Sequence, residues 1–563
     1  MIQEKAVRLL DSQFAKFLAN RSGLVDQERE QFQEIVCRLS INMAAGDSCL
    51  PVTDHEIGLI TKSALAWDGE AETGGKPLCL VENHLYLQRV FEYEQSLADK
   101  IGRIVSVSDK LPVSEILLNA LFGLGEENEI DYQRLAAIQA LHQNFLIISG
   151  GPGTGKTTTV VKILALLQSA TGGRLKVALA APTGKAAMRL QESITTSARG
   201  LLLDDSILAT IPDKASTLHR LLGVKHFSPF FHHNEANPLI HDVVVVDEAS
   251  MVDLALVSKL VNALRPGSRL ILLGDKDQLA SVESGTVLAD MITALPGNTV
   301  ELQRSYRFDR GIKGFAGAIN RGDSLQAWNI MVSDFPKNIS LLQSDAAEYG
   351  GKRYCSYMEA VKGAATVDAY KELFKMFHSF KILCALRHGP TGVDGINERV
   401  EKYLRENGYG RMAAEWYPGR PVMVTRNEYS LDLYNGDIGL CLPDPENTEL
   451  LKVWFERSHG VLQGILPGRL GSCETVYALT IHKSQGAEIG EVLVVLPDRG
   501  TAVVTRELLY TAVTRARNKV KVKSSRAVFD MAVAGKIERH SGLAESLQGK
   551  TNSLKGLPVS AEN

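Results

Sequence analysis

The chain has few of the features that mark secreted, membrane-bound or metal-scaffolded proteins. Its seven cysteines, at positions 37, 49, 79, 355, 384, 441 and 473, are odd in number, scattered, and never spaced as Cys-x-x-Cys. That excludes a disulfide framework and a cysteine-based zinc site, and it predicts reduced thiols in a cytosolic setting. No uninterrupted apolar run approaches the length that a bilayer span demands. The opening Met-Ile-Gln-Glu-Lys-Ala is charged at once, without the apolar stretch of a secretory signal. A cytoplasmic protein with no membrane partner is therefore expected. An excess of positive charge is lacking as well: 62 basic against 65 acidic residues leave a formal net charge of -3. Any nucleic-acid contact must then come from a local groove, because no global field steers it. Internal repeats and low-complexity segments are also missing.

What is present points to a large α/β protein. A chain of 563 residues is too long for one hydrophobic core, so roughly three or four domains are expected. Residues 1–110 read as helices with amphipathic spacing, through Val7, Leu9, Leu10, Phe14 and Phe17, then Ile35, Val36, Leu39 and Ile41. No catalytic constellation falls there, and the acidic patch at 125–129 suggests a boundary nearby. From Phe145 the rhythm changes to short apolar strands, each followed by a polar loop and a helical stretch: 145–149, 176–181, 242–247 and 269–275. A second set follows at 381–386, 474–481 and 491–497. Continuous apolar strands alternating with helices imply parallel sheets covered on both faces. Residues 421–442 instead alternate apolar and polar around Tyr-Asn-Gly-Asp, as an antiparallel insertion does. The expected organisation is a helical assembly domain at 1–110, an α/β lobe at 111–304, and a second at 305–550. The second lobe carries a small β-barrel insertion at about 415–475, and a flexible tail covers 551–563.

Residues 150–157 read Gly-Gly-Pro-Gly-Thr-Gly-Lys-Thr and fit G-x-x-x-x-G-K-[ST], directly after a strand and before a helical run. In such a loop the amides of Gly151, Pro152's neighbours, Gly153, Thr154 and Gly155 close around phosphates at a helix N-terminus. Lys156 reaches the terminal phosphates, Thr157 holds Mg²⁺, and Thr158 follows in the first turn. A glycine-rich turn matching by chance is the bland alternative, and the strand–loop–helix setting argues against it. Val243–Val246 then end in Asp247 and Glu248, the first placed to orient Mg²⁺ and the second to polarise an attacking water. Gln278, in the loop after the 269–275 strand, can report whether a γ-phosphate is present. Arg307 and Arg515 are candidate clamps for charge that develops during phosphoryl transfer. Taken singly, each of these arginines would be an ordinary surface ion-pair residue.

In order along the chain, these segments resemble the motifs of superfamily 1 helicases. The phosphate loop is followed by Ala181-Pro182-Thr183-Gly184-Lys185-Ala186-Ala187, Ser216-Thr217-Leu218-His219-Arg220 and the Asp247-Glu248 strand. Then come Gly274-Asp275-Lys276-Asp277-Gln278, Leu302 to Phe308, Thr480 to Glu488, and Leu508 to Arg517. The finer similarity is to the RecD family, in the segments 279–285, 302–308 followed by 318–323, 385–390, and 419–427 with 434–439. A related stand-alone class tends to carry proline where Ala280 stands, which favours the complex-forming family. The resemblance implies two RecA-like lobes, an ATP-dependent motor travelling 5′→3′ on DNA, and RecB-like and RecC-like partner subunits. It places Gln133 as the adenine-reading residue. It also places Thr183, Lys185, Thr217, His219, Thr480 and His482 along the nucleic-acid backbone, although His219 and His482 could equally be satisfied loop histidines. A solitary helicase, or a scaffold that binds ATP without moving, remains an alternative at this level.

Overall fold

The computed structural model describes residues 7–67, 75–107, 110–123, 130–201, 204–225, 227–281, 284–304, 310–333, 337–409, 415–457 and 460–555. Arg307 and the acidic patch at 125–129 lie outside these residues. Two parallel sheets organise the chain. In the first, the strands run Thr299–Leu302, Phe145–Gly150, Arg269–Gly274, Val243–Val246, Val177–Ala181, Ala215–Thr217, and every neighbouring pair is parallel. The three middle strands from Phe145 to Val246 in that order are buried at every position, as a sheet covered by helices on both faces requires. Parallel strands deliver all their C-terminal ends to one edge, and that edge gathers the chemistry.

The second sheet runs Ile339–Leu341, Ala516–Lys523, Ile489–Val495, Phe380–Cys384, Ala478–Thr480, again wholly parallel. Ala516–Lys523 was not expected as a strand, because Ala-Arg-Asn-Lys-Val-Lys-Val-Lys carries a cation at every second place. Only Val520 and Val522 bury their side chains fully in its later half, so it reads like a solvated face. Between these strands lies an antiparallel sheet in the order Leu462–Ile465, Asn447–Glu456, Ile438–Asp444, Pro421–Val424, Cys473–Thr475. Its pairing leaves the first and last of these strands as edges, so the described residues form an open five-stranded sheet where a closed barrel was expected.

The N-terminal region is not purely helical. Leu9–Ala19, Asp26–Ala44, Asp54–Lys62 and Gln88–Ser106 are helices, but a sheet of Leu50–Pro51, His84–Leu87, Leu78–Val81 and Ala66–Trp67 lies among them. Two of those strands have only two residues, too short for any periodicity to announce. The first helix also turns an unexpected face inward. It buries Asp11, Ala15, Leu18 and Ala19, while Val7, Leu9, Leu10 and Phe17 are 61%, 78%, 68% and 52% exposed. Asp11 tolerates burial because Arg8 donates to it through Nε at 3.0 Å and the Ser40 hydroxyl donates at 2.8 Å. The Arg8 hydrogen bond, ahead of every other cause, holds this carboxyl well below the usual carboxylate range.

Gln88–Ser106 belongs to the core of the first lobe, where Leu97, Ala98 and Ile101 pack with Leu256 and Leu260. The C-terminal helix Leu543–Lys555 returns to the same core through Leu543 and Leu547. Helix therefore continues to Lys555 in a segment expected to be tail from 551. Among the described residues no helix is long and apolar enough to cross a membrane.

At the junction of N-terminal region, first lobe and returning chain sits Glu94, 1% exposed. Its Oε1 accepts from the hydroxyls of Ser48 at 2.5 Å and Ser541 at 3.1 Å. Burial pushes its pKa from 4.5 up to about 7; the two hydroxyls oppose the shift and Asp290 adds to it, with Cys49 and Tyr86 also facing the carboxyl. The folded state thus holds a proton that the unfolded chain releases, so stability is lost as pH rises from 4.5 to about 7. Glu94→Gln should abolish that slope, leaving the variant up to about 3 kcal/mol better off, relative to the parent, at about pH 8 than at about pH 4. Denaturant midpoints across that range test it; parallel pH profiles for the two proteins would show that Glu94 does not carry the proton.

Candidate functional site

Glycine backbone geometry shapes the phosphate loop. Gly153 and Gly155 sit at φ +78 and +85, in the left-handed region that side chains avoid. A Cβ on Gly150 would lie 2.8 Å from Thr154 Oγ1 and 3.0 Å from the Leu302 carbonyl. Gly155 caps the helix Lys156–Thr171, so its first amides point across the loop. The Lys156 ammonium donates to the carbonyls of Gly150 and Gly151. Gln133, in the first turn of Tyr132–His142, donates through Nε2 to the Thr154 carbonyl at 3.2 Å and braces the loop from outside.

Across the sheet edge the strand Val243–Val246 delivers its two carboxylates. Asp247 Oδ1 accepts from the Glu248 amide at 2.9 Å, and Glu248 is held at φ +51. Burial, then the neighbouring Glu248, pushes Asp247 up to about 6, with Lys156 pulling the other way. The loop, the carboxylates, Gln278 and Arg515 line one cavity of about 670 Å³ together with Lys156, Thr157 and Thr158. Lobe two thus contributes to the wall that lobe one builds.

A buried seam joins the lobes beside that cavity. Arg515 Nη2 donates to Gln278 Oε1 at 2.8 Å, and Gln278 Nε2 donates to Asp275 Oδ2 at 3.0 Å. The Tyr510 hydroxyl donates to the same Asp275 oxygen at 3.2 Å, and Leu279 N donates to Thr511 Oγ1 at 3.0 Å. Asp275 is pushed up to about 6 by burial, against the pull of Lys156. Sequence reasoning named Gln278 and Arg515 but missed Asp275, Tyr510 and Thr511. Thr511 and Arg515 stand four apart, Thr511 on Arg506–Val513 and Arg515 just past its C-cap Thr514, and that spacing was the available signal for the pair.

The six residues expected along nucleic acid lie at, or within four residues beyond, the C-terminal ends of the strands Val177–Ala181, Ala215–Thr217 and Ala478–Thr480, in both lobes. Thr183 caps Gly184–Arg199 by accepting from Ala186 N at 3.2 Å, and Thr217 caps Leu218–Leu222 by accepting from Arg220 N at 3.2 Å. Thr480 accepts from Lys483 N at 3.3 Å. Lys185 is pushed down to about 8, by burial first and then by Arg189. His219 is exposed, its ring 5.7 Å from that of Phe231. His482 is half-buried and shifted down by burial and by Arg539. The insertion reaches over this surface: Arg220 Nη1 donates to the Tyr434 hydroxyl at 3.2 Å, and Tyr434 packs on Gly184.

An AAA domain model matches residues 133–284, and a UvrD-like helicase C-terminal domain model matches 475–522. The chain is 38% identical over 549 residues to the RecBCD enzyme subunit RecD of Mycolicibacterium smegmatis, spanning 94% of this chain and 96% of that one. This chain belongs to the RecD family. It is also 34% identical to the RecBCD enzyme subunit RecD of Haemophilus influenzae, over 89% of this chain and 85% of the other. To the ATP-dependent RecD2 DNA helicase of Deinococcus radiodurans it is 30% identical, over 94% of this chain and 70% of that protein. The two matched segments coincide with the two halves of the cavity in this RecD-family chain, the first bringing the phosphate loop and carboxylates, the second Arg515.

The seam carries a steric consequence. A Cβ on Gly151 would stand 3.1 Å from the Tyr510 hydroxyl, so Gly151→Ala should strain lobe contact and lower ATP turnover several-fold. Adding Tyr510→Phe removes the obstructing oxygen and should restore part of that loss. Steady-state turnover of the two single variants and the double variant decides it; a double variant worse than Gly151→Ala alone would contradict the steric account.

Proposed function

We propose that this RecD-family chain is the motor subunit of a RecBCD-type helicase–nuclease, travelling 5′→3′ along single-stranded DNA during double-strand break repair and recombination. In coarser terms it is an ATP-dependent DNA helicase. The observation that carries the reading is the cavity whose walls come from both lobes, since turnover there must be felt as relative lobe motion.

The residues present suit ATP with Mg²⁺. The half-buried carboxyl of Asp247, raised to about 6 by desolvation and Glu248, is a group that a divalent cation would stabilise in its charged form. Thr157 and Asp247 would hold the ion, which supplies charge neutralisation on the phosphates. Lys156 binds and orients the terminal phosphates, with Gly151, Pro152, Gly153, Thr154, Gly155 and Thr158 shaping the cradle. Glu248 takes the proton from the attacking water, Gln278 reports the γ-phosphate, and Arg515 meets the developing charge. Arg307 takes the second clamp role. Gln133, which braces the loop through the Thr154 carbonyl, reads the adenine base. Thr183, Lys185, Thr217, His219, Thr480 and His482 follow the phosphodiester backbone without reading sequence. Nuclease activity falls to a partner subunit. The higher identity to the two RecBCD subunits than to the RecD2 helicase favours the complex over a solitary motor.

Strand displacement by the full-length chain should proceed on a duplex with a 5′ single-stranded tail and hardly on one with a 3′ tail. Lys156→Ala should remove it together with nearly all DNA-stimulated ATP hydrolysis. A preference for the 3′ tail would reverse the polarity, and turnover near the parent level in Lys156→Ala would overturn the motor itself.

The N-terminal region supplies the assembly surface in this reading. Leu9, Leu10 and Phe17 leave an apolar stripe of one helix in solvent, where a RecC-like subunit would cover it. Leu10→Glu with Phe17→Glu should abolish co-purification of partner subunits while DNA-stimulated ATPase stays within about 2-fold of the parent. Retained partners would place the docking surface elsewhere.

A further inference from the structure

Beside the nucleotide-facing residues, the cavity holds a charge cluster that spans both lobes and has no role so far. Arg189 lies on Gly184–Arg199, four residues beyond Lys185, so the two side chains share a helix face. Its Nη1 donates to the Gly486 carbonyl at 2.8 Å, and its Nη2 pairs with Glu488. Both acceptors belong to lobe two. Glu488 also accepts from Arg517 Nε at 2.7 Å, and Arg517 stands two residues beyond Arg515. Gly486 has φ +69, and a Cβ there would lie 3.7 Å from Ala186 Cβ, so the turn docks directly on the helix that carries Arg189. On the lobe-one side Arg189 faces Glu248 and Asp247, whose charges act on it.

Exposed ion pairs hold little together. This one differs, because the Glu488 side chain is only 11% exposed and is gripped by two guanidiniums. The backbone bond to Gly486 adds a fixed direction, which a forked guanidinium supplies and a point charge does not.

We propose that Arg189 is a positioning residue that couples nucleic-acid contact to ATP turnover by holding the 486–488 turn of lobe two against the catalytic carboxylates. The helix is the lever: its first turn presents Thr183 and Lys185, its second presents Arg189, and a rigid helix moves both together. Arg517 is the second grip, and it ties the turn to the segment that carries Arg515. The inference rests on the ATP-motor reading of the cavity.

The test uses the full-length chain and its Arg189→Met, Arg189→Lys and Glu488→Gln variants, with the Arg189→Met/Glu488→Gln double variant. ATPase is measured with and without oligo-dT, and nucleotide affinity with a fluorescent ATP analogue. Arg189→Met should cut DNA-stimulated turnover by about 10-fold or more while nucleotide Kd moves less than about 3-fold. Glu488→Gln should fall similarly, and the double variant should be no worse than either single, the signature of one coupled pair. Arg189→Lys should recover part of the stimulation, since it keeps the charge and loses the fork. Equal losses with and without DNA, losses that multiply in the double variant, or a change confined to affinity would each overturn the proposal. A parent chain whose ATPase ignores DNA would overturn the motor reading and this inference with it. That outcome is distinguished by appearing before any substitution is made.

Discussion

Five polar side chains meet in the seam between the lobes, and their burial governs what the cavity beside them can do. Asp275, Gln278, Tyr510, Thr511 and Arg515 are each less than 9% exposed. A guanidinium out of water is costly unless its donors are met, and a carboxylate in the same place needs its hydrogen bonds too. The seam meets both demands at once, with Arg515 on Gln278, Gln278 on Asp275, and Tyr510 on Asp275. Opening the lobes by a fraction would leave several of these groups dry and unpaired, so intermediate openings are disfavoured and the joint tends toward two states. Lys156 links this seam to the Asp247 carboxylate, because its charge acts on both Asp275 and Asp247. Lobe position and the electrostatics of the phosphate site are therefore one problem, with one lysine at the centre.

The sequence made the lobe-one half of the site readable for a physical reason. Buried parallel strands are continuous apolar runs, and their polar loops must fall at one edge. Finding Phe145–Ser149, Val243–Val246 and the strand before Asp275 was therefore enough to bring Lys156, Asp247, Glu248 and Gln278 together. Contacts between lobes have no such rule. Arg189 and Glu488 stand far apart in the chain, and no periodicity in either segment encodes the register of one lobe on the other. The contact of Tyr510 with Asp275 was hidden for the same reason. The strand Ala516–Lys523 was obscured differently, since alternating lysines disguise a strand that sits second in its sheet.

The first helix shows a subtler limit. Periodicity at Leu10, Phe14 and Phe17 correctly marks a helix with an apolar stripe, but a stripe does not say which side meets the core. Here Asp11 turns inward, because Arg8 and Ser40 satisfy its oxygens, and small residues Ala15 and Ala19 let the helix approach closely. Leu9, Leu10 and Phe17 are left on the outside, while Leu18 and part of Phe14 face the core. A charged residue at a buried position can thus invert the expected face whenever local partners neutralise it, and sequence spacing alone does not reveal those partners.

Glu248 illustrates how the fold separates two adjacent carboxylates. Its φ of +51 places a bulky residue in the left-handed region, at a cost of roughly 1–2 kcal/mol. The strand before it continues to pair: Asp247 N donates to the Ala180 carbonyl at 2.9 Å, so Asp247 stays anchored to the sheet. The reversal begins one residue later, and the Glu248 amide turns back onto the Asp247 carboxylate. Had the strand run on in extended form, consecutive side chains would point to opposite faces of the sheet and only one could face the cavity. The left-handed kink is what allows both to line it. The strain at Glu248 is thus the structural condition for two neighbouring acids to line one cavity, and a sequence motif records only that they are neighbours.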